Sequence, residues 1–309
     1  MRILVLGAGG TGGYFGSRLL AAGRDVTFLV RPRRAALLAE RGLHVRSPVG
    51  HLDLPAPPTV TADALDAPFD LILLSCKAYD LDSAMDAFAP AVGPHTRILP
   101  LLNGMRHLEV LRERFGHEAV LGGLCLISAA LDAEGRIQHF APAHKLVFGE
   151  LDPQATSSEP AVLKVLDDAG FDVRLSENIR QEMWEKWVLI ANLAGITCLM
   201  RASVGDIIAA GAGDLALKLW DECAAVATQC GYPPGEEATQ RVRRIITDVD
   251  SVLMASMLRD VESGSRTEGD HILGDLLRRG GEGNYPVLRA AHLHVRAYEA
   301  RRERVTQGK

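Results

Sequence analysis

The strongest constraint on this chain lies in its first residues. The apolar run Arg2–Leu6 stops at Gly7-Ala8-Gly9-Gly10-Thr11-Gly12, a helix-type stretch Gly12–Ala22 follows, and a second apolar run ends at Val30. A G-x-G-x-x-G pattern is weak alone. It gains meaning after a strand, at the opening of a helix, inside a βαβ unit of about 30 residues. Gly7 then permits the tight turn, Gly9 the approach of the backbone to a pyrophosphate, and Gly12 close packing of helix on strand. The helix start presents N–H groups and a positive dipole end to the phosphates. Gly7, Gly9, Gly10, Thr11 and Gly12 are therefore expected to bind a dinucleotide. A glycine turn that binds nothing is the competing reading, and it leaves the agreement of turn, helix and second strand unexplained.

The end of the second strand selects the dinucleotide. An acid about 20 residues past the glycines would hold the ribose 2′-hydroxyl of NAD. Here Arg31 stands after Val30, followed by Arg33 and Arg34. Guanidinium groups bind a 2′-phosphate, which an acid would repel. NADP(H) is expected over NAD(H) and FAD, with Arg31 as the ligand. Arg33 and Arg34 read equally well as a solvated helix start.

Apolar runs at Ile3–Leu6, Val26–Val30, Leu71–Ser75, Ile98–Leu102 and Val120–Leu126 alternate with helical stretches through the first half. That alternation predicts parallel βαβ units. Two further pairs, Leu43–Arg46 with Leu52–Leu54 and Arg136–Phe140 with Leu146–Gly149, flank turn-forming residues and read as hairpins appended to the main sheet. The polar, turn-rich segment 152–160 leads into a helix around Ala161–Ala169. From Ile179 onward the pattern is helical. The expected architecture is an α/β Rossmann-type domain over residues 1–177 and an all-α substrate and catalytic domain over 178–309.

Composition narrows the function. Net charge is −5 and the basic residues are scattered, which disfavours nucleic acid as partner. No stretch reaches the roughly 18 apolar residues of a membrane span, and the start lacks the layout of a signal peptide. The five cysteines have no C-x-x-C spacing and sit among apolar residues, which predicts buried thiols in a reducing cytoplasm. No H-E-x-x-H, paired-cysteine or G-x-S-x-G pattern occurs, so no metal site and no serine nucleophile is expected.

Several ordered motifs add a resemblance. Beyond the glycine turn and Arg31 they are Ser75-Cys76-Lys77-Ala78, Leu102-Asn103-Gly104-Met105, Asn178-Ile179 with Trp184 and Lys186, Ser256-Met257-Leu258 with Asp260, and Arg266-Thr267-Glu268. In this order they resemble the ketopantoate reductase (2-dehydropantoate 2-reductase) family from Met1 to about Glu299. The resemblance implies a Rossmann domain followed by a helical domain of the 6-phosphogluconate dehydrogenase type. It implies NADPH-dependent reduction of the ketone of a small 2-oxo acid, 2-dehydropantoate, a step of pantothenate biosynthesis. Lys186 matches the family's general acid. Asn103 matches a residue that contacts cofactor and substrate, Lys77 and Glu268 match cofactor contacts, and Ser256 matches a substrate-binding serine. On the residues alone, Asn103-Gly104 is also a natural turn pair, Lys77 a loop charge, Ser256 a small helix residue and Glu268 a helix-start acid.

The match breaks at four places. Ile190, Ala194, Val204 and Leu253 stand where the family carries asparagines. Asn192 lies two positions past Ile190, a rotation of about 200° around a helix, so it is not expected to substitute. An apolar pocket discriminates weakly where a hydrogen-bonding one discriminates strongly, and a substrate less polar than ketopantoate is expected. Two alternatives stay open: a dehydrogenase of another ketone or hydroxy acid, and an NADPH-sensing regulator without catalysis. The apolar helices of the second half fit packing within one chain or across a homodimer.

Overall fold

Ile3, Leu4 and Val5 have no exposed surface, which a strand achieves when both faces of its sheet are covered. In the computed structural model, which describes residues 1–152 and 159–308, this strand, β1 (Arg2–Leu6), is the centre of a parallel sheet. Around it lie β2 (Asp25–Leu29), β5 (Thr59–Val60), β6 (Phe69–Leu74) and β7 (Val92–Pro100), in the order β5-β2-β1-β6-β7. All four pairings are parallel. Helices α1 (Gly10–Ala21), α2 (Pro32–Arg41), α3 (Leu81–Phe88) and α4 (Arg106–Phe115) alternate with the strands. Four of the five predicted runs thus lie in the parallel sheet of an α/β domain, while the fifth, Val120–Leu126, runs into an antiparallel pairing in a second sheet.

A second sheet corrects the expectation of appended hairpins. β3 (Leu43–Arg46) and β4 (Leu52–Leu54) do pair antiparallel. They belong to a separate sheet, in the order β10-β9-β3-β4, with β8 (Leu121–Leu131) on β9 (Ile137–Glu150) and β10 (Asp172–Leu175) at its edge. The expected hairpin of Arg136–Phe140 with Leu146–Gly149 does not form, because both stretches belong to the single strand β9 and pair with β8. Ile127 opposes His144 and Ala129 opposes His139, so residues 140–143 are taken up as a bulge. Pro142 is tolerated there because a bulge needs no ladder donor at that position. Helix α5 (Glu159–Leu166) follows. Most of the turn-rich segment expected before it, residues 153–158, lies outside the described residues.

The chain separates into two compact units, Met1–Leu102 with His107–Arg180, and Asn103–Arg106 with Gln181–Lys309. The second unit is helical. It holds most of α6 (Ile179–Met200), then α7 (Val204–Ala209), α8 (Gly213–Gln229), α9 (Glu236–Ile246), α10 (Ser256–Glu262), α11 (Asp275–Arg279) and α12 (Pro286–Thr306). Trp187, Val188, Ala191, Asn192 and Cys198 on α6 are all buried, as befits the part of the helix past Lys186, which is apolar on nearly every side.

The helical pattern of the second half predicts helices over Ser251–Val261 and Glu268–Arg278, of which the first is shortened at its start and the second holds a π-helical turn. Residues 251–255 are not helical, because the carbonyls of Ser251 and Leu253 accept from the N–H groups of Gly205 and Val204. They thereby satisfy the orphan donors at the start of α7. Over Glu268–Arg278 the chain forms a π-helical turn, Asp270–Gly274, before α11 begins. No helix among the described residues is long and apolar enough to cross a membrane.

Candidate active site

In the first unit the glycine turn borders a cavity of about 460 Å³. Gly7, Gly9, Arg31, Arg34, Asp63 and Asp80 are among its lining residues. Gly7 has φ +87°, a conformation glycine adopts without a steric penalty. A Cβ built on Gly9 would meet nothing within 4 Å, so the turn is open to close approach by a ligand. Gly10 and Thr11 are the first two residues of α1. A helix start leaves its first N–H groups without intrahelical partners, and no side-chain hydrogen bond caps this one. These features fit the pyrophosphate of a dinucleotide.

Gly12 acts through packing. A Cβ there would stand 1.9 Å from the Ser75 Oγ and 2.9 Å from the Gly7 carbonyl oxygen. Ser75 Oγ itself donates to the Leu6 carbonyl at 2.8 Å, so it is pinned at the end of β1. Gly12→Ala is expected to destabilise the fold by roughly 1–3 kcal/mol, the cost of overpacking. A thermal melt superimposable on that of the wild type would show that α1 can shift away at no cost.

Arg31 and Arg34 both line the cavity but are held differently. Arg31 caps α2, its side chain is 77% exposed, and its Nη2 lies 3.3 Å from the Asp80 Oδ1. Arg34 is half-buried and its Nη2 donates to the Ala8 carbonyl, inside the glycine turn, at 2.9 Å. Burial pulls its guanidinium below the ordinary arginine value. Arg33 is exposed. Arg34 is thus an integral part of the cavity, which the sequence reading left undecided. The signal was its spacing, because residues three apart share a helix face. Lys77 caps a short 3-10 helix, Ala78–Asp80, beside the cavity residue Cys76. Cys76 and Cys230 are only half-buried, whereas Cys125, Cys198 and Cys223 are buried as expected.

In the second unit, Lys186 and Asn103 meet although 83 positions separate them. Lys186 is half-buried on α6, and its Nζ donates to the Asn103 Oδ1 at 2.9 Å. His271 donates through Nε2 to the Asn103 backbone carbonyl at 2.7 Å. Sequence reasoning missed His271, which carries no local motif. Glu268 lies at the head of the same segment, and its carbonyl accepts from the N–H groups of His271 and Ile272. Ser256 is exposed at the first position of α10. Among the described residues no hydrogen bond joins it to Lys186 or Asn103.

The four replaced asparagines are apolar in different settings. Ile190 is half-buried one turn beyond Lys186, while Ala194 and Val204 are buried. Leu253 is 41% exposed and its carbonyl accepts from the Val204 N–H at 3.0 Å. Asn192 is wholly buried and its Nδ2 donates to the Ala216 carbonyl on α8 at 2.9 Å. It is committed to helix packing, as the rotation from Ile190 requires.

A parallel α/β unit with a glycine turn, joined to a helical unit that sets a lysine on an asparagine, is the plan of a nicotinamide-dependent oxidoreductase. The chain belongs to the ketopantoate reductase PanE/ApbA family, whose N-terminal model matches residues 3–153 and whose C-terminal model matches residues 178–299. An uncharacterized oxidoreductase of Bacillus subtilis (strain 168), YkpB, is 37% identical over 303 residues, 97% of this chain and 99% of that protein. The crystal structure of a PanE/ApbA family ketopantoate reductase from Ralstonia eutropha JMP134 matches with a TM-score of 0.88 at 25% identity, covering 98% of this chain and 100% of that one. The ternary structure of a D-mandelate dehydrogenase with NADH and anilino(oxo)acetate shares the fold at 20% identity, with a TM-score of 0.88 over 98% of this chain and 100% of that one.

Proposed function

We propose that this chain catalyses NADPH-dependent reduction of a 2-oxo acid to the 2-hydroxy acid, with Lys186 as general acid. The observation that carries this reading is the hydrogen bond from the Lys186 Nζ to the Asn103 Oδ1. A bound reduced nicotinamide supplies hydride to the ketone carbon. Gly7, Gly9, Gly10, Thr11, Gly12 and the arginines would hold its dinucleotide body, with Lys77, Asn103 and Glu268 as further contacts. The ketone oxygen gains negative charge as the carbonyl is reduced. An ammonium beside it stabilises that charge and then delivers the proton. Asn103 gives the ammonium an acceptor, which fixes where its remaining N–H bonds point.

The substrate is a 2-oxo acid less polar than ketopantoate. Ile190, Ala194, Val204 and Leu253 support this, because they offer no side-chain hydrogen bond to a substrate hydroxyl. Ser256 remains the candidate polar substrate contact. A panel of ketopantoate, branched aliphatic 2-oxo acids and phenylglyoxylate, followed by NADPH absorbance, tests the reading. A hydrophobic acid is expected to exceed ketopantoate in kcat/KM by the roughly 10–200-fold that apolar complementarity provides. Ketopantoate far above every other member would return the chain to pantoate formation. NADPH binding without turnover of any member would favour a sensing role.

A further inference from the structure

We propose that His271 is a positioning residue that holds Asn103, and through it Lys186, in place for proton delivery. This rests on the reading of Lys186 as general acid. A backbone carbonyl only accepts, so the 2.7 Å contact to the Asn103 carbonyl places a proton on the His271 Nε2 and fixes the ring's tautomer. Asn103 in turn accepts from the Lys186 Nζ at 2.9 Å. The two bonds use different oxygens of one residue and form a continuous path from His271 to Lys186.

The backbone around His271 is shaped for this contact. His271 lies in the π-helical turn Asp270–Gly274, where the Asp275 N–H reaches back to the Asp270 carbonyl. Such turns are rare, and frequently lie at functional sites. The next residue in the turn, Ile272, accepts through its carbonyl from the Trp187 Nε1 at 3.0 Å. Consecutive residues of one turn therefore bind both the partner of Lys186 and its chain neighbour. Gly104 has φ +83°, and a Cβ there would stand 2.9 Å from the His271 Nε2. The Asn103-Gly104 turn can approach the imidazole only because position 104 has no side chain. Burial pushes the His271 imidazole below the ordinary histidine range, over the opposing pull of the Asn103 bond, Glu268 and Asp275. The ring accordingly stays neutral near pH 7, donating one N–H in one direction.

The test compares His271→Phe, which lacks the donor, with His271→Gln, which can still donate. Gly104→Ala is a second way of displacing the ring should the phenylalanine variant fail to fold. In His271→Phe, kcat is expected to fall by about 10²-fold, the cost of misplacing a reacting group by about 1 Å, with smaller changes in KM and NADPH affinity because Asn103 is also a proposed contact of substrate and cofactor. His271→Gln should recover most of the loss. In a Lys186→Ala background, His271→Phe should lower kcat no further. Acylation of the Lys186 amine by N-hydroxysuccinimidyl acetate in cofactor-free protein, mapped by mass spectrometry, should rise several-fold in His271→Phe and Gly104→Ala but not in His271→Gln. Unchanged labelling in both disrupting variants, or a kcat loss that persists in full on Lys186→Ala, overturns the assignment. A wild type that reduces no 2-oxo acid overturns the general-acid reading instead, and the labelling still decides whether His271 holds the lysine.

Discussion

Lys186→Ala is expected to lower turnover by about 10²–10⁴-fold, the contribution typical of general acid–base catalysis. The loss should fall on kcat and kcat/KM alike, because the proton is delivered only as the alkoxide forms. NADPH affinity should change little, since the glycine turn and Arg31 and Arg34 carry the phosphates in this reading. Removing the lysine also leaves the Asn103 Oδ1 without the donor it has at 2.9 Å. Lys186→Met keeps the aliphatic stem of the half-buried side chain, and separates loss of packing from loss of the ammonium. Lys186→Arg retains the charge, but a guanidinium does not release its proton, so it should recover binding energy and little rate. Near-normal turnover in Lys186→Met would remove the lysine from the mechanism.

What the sequence made legible follows from how local each requirement is. The glycine turn declares itself because strand, turn and helix start lie within a dozen residues and each glycine answers a separate steric demand. Lys186 and Asn103 are a different case, as nothing in the neighbourhood of either points across 83 positions to the other. Only the resemblance joined them. His271 lies 168 positions from Asn103 and replaces no expected motif residue. Its π-helical turn shows the same apolar spacing as an ordinary helix, so periodicity concealed the distortion. The failure at β9 has the opposite origin. Ala141-Pro142-Ala143 is sound turn chemistry, but a long partner strand absorbed it as a bulge, a choice set by tertiary pairing. Asn192 was legible from geometry alone, because a two-residue offset turns a side chain to the far side of a helix.

The cofactor preference should depend on Arg31 and Arg34 together. The wild type is expected to bind NADPH about 10²-fold or more tighter than NADH, since a hydrogen bond to a charged group contributes about 1.5–3 kcal/mol. The Arg31–Asp80 pair, 3.3 Å apart with the arginine 77% exposed, is worth about 0–1 kcal/mol. Little is therefore lost when Arg31 turns to a phosphate. Arg34 is held by the Ala8 carbonyl at 2.9 Å, so its charge is already placed before a ligand arrives. Arg31→Ala alone should remove part of the preference, and Arg31→Ala with Arg34→Ala the rest. The acids sharpen the outcome. Asp63 and Asp80 line the same cavity, and the hydrogen bond from Thr61 keeps the Asp63 carboxyl below the ordinary carboxylate range. With both arginines gone, two carboxylates would remain in the cavity proposed to hold the ribose. They repel a 2′-phosphate and accept from a 2′-hydroxyl, so the double variant should bind NADH at least as tightly as NADPH. Fluorescence titration of the three proteins with both cofactors reads this directly. Equal affinities in the wild type would assign the arginines to the surface and the cavity to NADH.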